Sequence, residues 1–84
     1  MDDVNVTVLL FAGAAEKAGT RKLDLGWEDG DTVGHIRDRV VALHPGLAPM
    51  VGSLMYAIDE TYADEGDAVA PGATVALIPP VSGG

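Results

Sequence analysis

The sequence contains no cysteine, which excludes disulfide staples and any thiolate nucleophile or thiolate metal ligand of the chain's own. Cations are scarce as well. Five Lys/Arg stand against thirteen Asp/Glu, a formal charge of −8 at pH 7. Phosphate backbones are repelled by such a chain, so nucleic acid is excluded as a partner, whereas basic protein surfaces are steered toward it. The same charge also serves plain solubility. Apolar runs fall short of the roughly 20 residues needed to cross a bilayer. Met1-Asp2-Asp3 is acidic where a signal or transit peptide is basic. The expectation is a cytoplasmic protein with no membrane partner.

Metal ligands and side-chain nucleophiles are equally sparse. His35 and His44 stand nine residues apart on one predicted helix, at angles too different for a shared ligand face. With no other His or Cys, they cannot complete a zinc site. Asp64, Glu65 and Asp67 cluster in a turn, without the alternating ligands ending in glutamate that hold calcium. No Ser/His/Asp constellation is present. Eighty-four residues, 48% hydrophobic, make one domain with one core and no room for a large cofactor pocket. No metal and no stably bound cofactor are expected.

What is present is a succession of short patterned segments. Residues 4–11 place Val4, Val6, Val8 and Leu10 on one side at period two, which predicts a strand. Residues 12–20 hold Gly13 and Gly19 among small residues and read as a loop with a short helical turn over 14–18. Residues 21–27 predict a second strand, antiparallel to the first, with Leu23, Leu25 and Trp27 inward. After a turn at 28–31, Thr32 is a helix cap. Val33, Ile36, Val40 and Leu43 then recur at spacings of three and four. They predict an amphipathic helix with Arg37, Asp38 and Arg39 on its outer face. Gly34 costs its first turn up to about 1 kcal/mol relative to alanine, and Pro45-Gly46 ends it. A crossover over 47–53, with a short 3₁₀ turn, leads to a third strand at 54–58. An acidic turn follows, with a short edge strand at Tyr62. The last strand covers 73–78, and Pro79-Pro80 stops it by removing two backbone donors.

This order predicts an α+β domain: a mixed four- to five-stranded sheet over one main helix, with the first and last strands parallel at the sheet centre. That is the β-grasp, or ubiquitin-like, arrangement. It occupies residues 1–78 and leaves a flexible C-terminal tail over 79–84. The tail reads Pro79-Pro80-Val81-Ser82-Gly83-Gly84. Glycine at a turn serves the chain that follows it. Here the sequence stops, so the diglycine offers a thin end whose main-chain carboxylate has no side chain beside it. Such an end fits a narrow active site and can be activated there. Six residues span at most about 20 Å, and the prolines stiffen the first half toward polyproline II, which lowers the entropy lost on insertion. The plain alternative is terminal fraying.

Leu9 and Phe11 lie on the side of the first strand away from its valine stripe. With Tyr62 and Ile78 they are candidates for a partner-binding patch. The alternative is that some of them belong to the core or are ordinary exposed apolar side chains.

The chain resembles the MoaD family, the small sulfur-carrier subunits of molybdopterin synthase. The resemblance is carried by Val8-Leu9-Leu10-Phe11-Ala12, Ala18-Gly19, Thr32-Val33, Tyr56-Ala57-Ile58 and Gly66-Asp67. Its specific part is the ending Leu77-Ile78-Pro79-Pro80-Val81-Ser82-Gly83-Gly84. Two departures are Asp59, where the family more often has asparagine, and Gly34, where it often has a charged residue. The resemblance implies a carrier that is not an enzyme on its own. An E1-like, MoeB-like enzyme would adenylate the Gly84 carboxylate with ATP, and a sulfur-donor protein would convert it to a thiocarboxylate. A MoaE-like large synthase subunit would then receive the tail, with Gly83 and Gly84 at the reacting end. Two other readings share the activated Gly84: a ubiquitin-like protein modifier, and a sulfur carrier for thiamine thiazole or tRNA thiolation.

Overall fold

Val6, Val8 and Leu10 lose their water together, at 0, 0 and 3% exposure, because alternation puts all three on one side of β1 (Asn5–Leu10). The structure, a computed structural model, describes residues 4–80. Residues 1–3 and Val81, Ser82, Gly83 and Gly84 lie outside the described residues. β1 pairs antiparallel with β2 (Lys22–Gly26) and parallel with β5 (Thr74–Ile78). β3 (Met55–Ile58) lies antiparallel to β5 and forms a hairpin with β4 (Thr61–Ala63). The sheet order is β2-β1-β5-β3-β4. The parallel central pair and the β-grasp architecture read from the sequence are both present.

One face of this sheet is covered by α2 (Val33–Leu43), which inserts Val33, Ile36 and Val40, all fully buried. Its start is closed more completely than a threonine cap requires. Thr32 Oγ1 accepts from the His35 amide at 3.2 Å, and His35 Nδ1 accepts from the Thr32 amide at 3.3 Å. This is a capping box in which histidine takes the usual glutamate position. The amides of Val33 and Gly34 donate to the carbonyls of Asp67 and Glu65, at 3.0 and 2.8 Å. Gly34 is therefore more than a weak helix former. A Cβ there would stand 3.2 Å from the Glu65 carbonyl oxygen, close enough that the 64–67 loop would have to shift by a few tenths of an ångström to admit a side chain.

Three features of the helix depart from the amphipathic reading. Leu43 is the last residue of the helix and is 58% exposed. Arg37 is folded back so that its Nη1 donates to the Tyr56 hydroxyl at 3.2 Å and to Glu65 at 2.7 Å. Arg39 donates to both carboxylate oxygens of Asp31, at 2.8 and 2.7 Å, and to the Gly26 carbonyl at 2.9 Å. Both arginines thus brace the fold rather than stand free on an outer face. Asp31, at 4% exposure, also accepts from the Glu28 amide. The hydrogen bond from Arg39 holds its carboxyl below the usual range despite burial.

Residues 12–18 form a full helix, α1 (Ala12–Ala18), rather than a loop with a single turn. Its Ala14 is buried, and it packs against a nine-residue 3₁₀ helix (Pro45–Ser53) that is longer than the short turn expected. Gly19 closes α1 in the left-handed conformation, φ 73°, donating to the Ala15 carbonyl. Trp27 sits at the core edge as expected, its indole N–H donating to the Val69 carbonyl at 2.7 Å.

Candidate functional site

With α2 on one face, the other face of the sheet is left to side chains that alternate away from the core. Cross-strand register sorts them into rows. The middle row runs Tyr62–Ala57–Ala76–Leu9–Lys22 from β4 to β2. Two alanines at its centre leave a trough between the larger Tyr62 and Leu9. The row above it sets Met55 opposite Ile78, and Phe11 stands just past the end of β1. The Phe11 amide donates to the Leu77 carbonyl at 3.4 Å. The row below is polar: Thr74 pairs with Thr7, and Thr7 pairs with Asp24.

Leu9, Phe11, Ala57, Ala76, Tyr62 and Ile78 enclose a hollow of about 580 Å³ with Asp59, Glu60 and Thr74 at its lower rim. A second hollow adjoins it across Leu9 and Phe11, reaching α1 and Arg21. All four apolar residues singled out from the sequence are therefore brought together, and none lies in the core. Phe11 and Tyr62 are 46 and 74% exposed, while Leu9 and Ile78 are half-buried. Met55, Ala57 and Ala76 belong to the same face but were not singled out. Their only signal in the sequence is strand register, because an alanine carries no chemistry of its own.

Asp59 fixes the lower rim. It and Glu60 are the two loop residues of the β3–β4 hairpin, and both have left-handed backbones, φ 47 and 72°. That is the signature of a type I′ turn, in which Asp is among the few tolerated residues without glycine's freedom. The Asp59 amide donates to the Thr74 carbonyl, and its Oδ1 accepts from the Thr74 amide, both at 2.9 Å. The departure from asparagine at this position preserves what asparagine does: it tolerates the turn and offers a side-chain oxygen.

The trough reaches the last residue of β5. Ile78 ends β5, Pro79 is half-buried and Pro80 exposed. Of the tail residues named from the sequence, Val81, Ser82, Gly83 and Gly84 lie outside the described residues. His35 serves the α2 cap and His44 ends that helix. Among the described residues, no group of three or more His, Cys, Asp or Glu is placed to hold a metal ion. No helix among them is long and apolar enough to cross a membrane.

The sequence profile of the ThiS family matches residues 8–84. The chain belongs to the ThiS family. Within it, the chain is 33% identical over 82 residues to the molybdopterin synthase sulfur carrier subunit of Homo sapiens, covering 94% of this chain and 93% of that protein. It is 40% identical over 83 residues to small archaeal modifier protein 1 of Haloferax volcanii, covering 89% and 95%. A crystal structure of that archaeal modifier superposes with a TM-score of 0.86 at 33% identity, over 95% of this chain and 99% of the other. The ThiS-family match includes the end of β1 from Val8, all of β5 and the whole diglycine tail. The resemblance drawn from the terminal residues thus holds for the family.

Proposed function

We propose that this ThiS-family protein is a sulfur carrier for molybdopterin synthesis, with the main-chain carboxylate of Gly84 as its working group. The observation that carries this reading is an apolar trough lined by Ile78, the last residue of β5, after which the sequence reads Pro79-Pro80-Val81-Ser82-Gly83-Gly84. The folded part, residues 1–78, docks through Leu9, Phe11, Tyr62 and Ile78. The arm over 79–84 then enters a partner's active site.

The chemistry needs no side chain of this protein. A carboxylate is a poor electrophile because its leaving group would be oxide. Its attack on the α-phosphorus of ATP, on an E1-like, MoeB-like enzyme, releases pyrophosphate and leaves an acyl-adenylate. Sulfide from a sulfur-donor protein adds to that carbonyl and expels AMP, giving the thiocarboxylate. A MoaE-like large subunit then takes the charged tail and uses the sulfur for the pterin dithiolene, in the cytoplasm. Gly83 and Gly84 lack Cβ atoms, so the entry channel can be narrow.

Incubation with ATP, an activating enzyme and sulfide tests this by intact mass. The mass is expected to rise by one sulfur-for-oxygen exchange, confined to the last residue. An unchanged mass, or molybdopterin formation retained after the chain is extended past Gly84, overturns the proposal. The 40% identity to an archaeal modifier favours one second reading, in which the activated Gly84 forms isopeptides with lysines. Lysine-linked adducts in the same reaction mixed with cell proteins would support it.

A further inference from the structure

The two edges of the sheet are finished differently. On β2, bonds from the Leu10 amide to the Arg21 carbonyl and from the Trp27 amide to the Val4 carbonyl turn the odd-numbered residues toward β1. The main chain of Lys22, Asp24 and Gly26 therefore faces outward. Thr20 Oγ1 accepts from the Lys22 amide at 3.4 Å and donates to the Lys22 carbonyl at 3.1 Å. Arg39 Nη2 donates to the Gly26 carbonyl at 2.9 Å. Side chains thus close this edge at both ends.

β4 is the opposite edge. The Asp59 amide bonds to the Thr74 carbonyl, so alternation turns Ala57 toward β5 as well, and Ile58 and Tyr56 toward β4. Their partners Thr61 and Ala63 face β3. The N–H and C=O of Tyr62, between them, point away from the sheet, and among the described residues neither finds a partner. Asp64, further along, is closed: its amide donates to Asp67 Oδ2 at 2.8 Å and its carbonyl accepts from the Asp67 amide at 3.0 Å. Tyr62 is thus the open position of β4. Its side chain lines the trough on one side. On the other it borders a hollow of about 620 Å³ with Met55, Ala63, Asp64, Glu65 and Asp67.

Charge around this edge has one sign. No lysine or arginine follows Arg39 in the sequence, and the five acids that do follow it all fall within 59–67. Asp59 and Glu60 precede β4; Asp64, Glu65 and Asp67 come after it. Arg37 reaches across from α2 to Glu65. The other four acids make no ion pair among the described residues.

We propose that β4 accepts an extended, basic segment of a partner protein as a further strand. The segment runs antiparallel, because one of its residues then exchanges both main-chain bonds with Tyr62. Lysine or arginine two places to either side, about 7 Å along the strand, meets Glu60 and Asp64. A second copy of this chain is disfavoured there. Antiparallel pairing centred on Tyr62 would set Glu60 of each copy against Asp64 of the other, like charge against like at both ends. The surface adjoins the trough through Tyr62 but needs neither Gly84 nor Leu9, Phe11 and Ile78, so it stands apart from the sulfur-carrier reading.

An NMR titration of the isotope-labelled protein with the blocked peptide Arg-Arg-Thr-Val-Thr-Arg-Arg tests this. The largest amide shift is expected at Tyr62, whose hydrogen exchange slows about 5-fold or more at saturation. The same peptide N-methylated at its valine keeps the charge but loses the central donor, and should bind about 3- to 10-fold more weakly. Replacing its arginines by glutamate should abolish binding. Glu60→Lys combined with Asp64→Lys should weaken the original peptide about 10-fold at low salt; neither side chain is hydrogen-bonded among the described residues. Shifts spread over the acidic surface without a maximum at Tyr62, or equal binding of the N-methylated peptide, mean that charge alone attracts the segment, and overturn the proposal. Unchanged binding by the double variant overturns it too. So does the absence of any shift at about 10 mM peptide, which leaves the acids as guards against edge-to-edge pairing. Sulfur loading of Gly84, read by intact mass, is independent of all these outcomes, so the carrier reading stands or falls separately.

Discussion

Asp31 shows how one residue ties pH to stability. It is buried and ionised, held by Arg39 and by the Glu28 amide. Its folded pKa lies below the unfolded one, through the Arg39 hydrogen bond first. Its contribution is therefore complete above about pH 4 and is lost as pH falls through the lower folded value. Urea midpoints followed by Trp27 fluorescence are expected to fall below pH 4 in the parent and to vary less there in Asp31→Asn. At neutral pH that variant should be about 1–3 kcal/mol less stable, since Arg39 loses its charged acceptor. Gly34 carries a second residue-scale prediction. Helix propensity alone would have Gly34→Ala gain about 1 kcal/mol. The Glu65 carbonyl 3.2 Å from the new Cβ reverses the sign, because that oxygen already accepts from the Gly34 amide. Gly34→Ala is expected to melt below the parent in a thermal scan. The sequence announced the propensity cost of this glycine but could not announce the loop that approaches it.

Among the elements, the β3–β4 hairpin makes the sharpest prediction. Asp59 combines a left-handed backbone with a side-chain acceptor for the Thr74 amide. Asp59→Asn keeps both and should melt within a degree or two of the parent. Asp59→Ala loses both and should lose about 1–2 kcal/mol, a melting shift of roughly 4–16 °C for a domain of this size. The elements that were legible in the sequence carry their period in strongly apolar residues: Val6, Val8 and Leu10 in β1, and Val33, Ile36 and Val40 in α2. For α1 the sequence predicts only a loop with a short helical turn over 14–18, because seven residues with a glycine at the second position have little helix-forming tendency of their own. Packing on the 3₁₀ helix stabilises it, and that contact joins segments some thirty positions apart. The candidate site divides in the same way. Leu9 and Phe11 stood out as apolar residues on the wrong side of a strand, whereas Ala57 and Ala76 could be placed only by knowing which strands are neighbours.

For the whole molecule, core and the proposed docking face are separable. Leu77 is fully buried, and Leu77→Ala should cost about 2–5 kcal/mol, a large part of the 4–12 kcal/mol on the order of which a chain this size is stable. On the opposite face, Tyr62→Ser should shift stability by no more than about 0.5 kcal/mol while weakening partner binding. A melting scan paired with a binding measurement on each variant distinguishes the two faces. Equal thermal losses for Leu77→Ala and Tyr62→Ser would show that Tyr62 is structural.

The depth of the trough is set by the smallness of Ala57 and Ala76, side chains that end at Cβ. Depth is thus adjustable without moving any backbone. Enlarging Ala76 to leucine flattens the surface, and a correspondingly shortened protrusion on a cognate protein restores the match. Pairs resized together in this way would recognise each other and ignore their unmodified counterparts. Two carriers built on the same scaffold could then work side by side in one cell, each loading only its own assigned recipient.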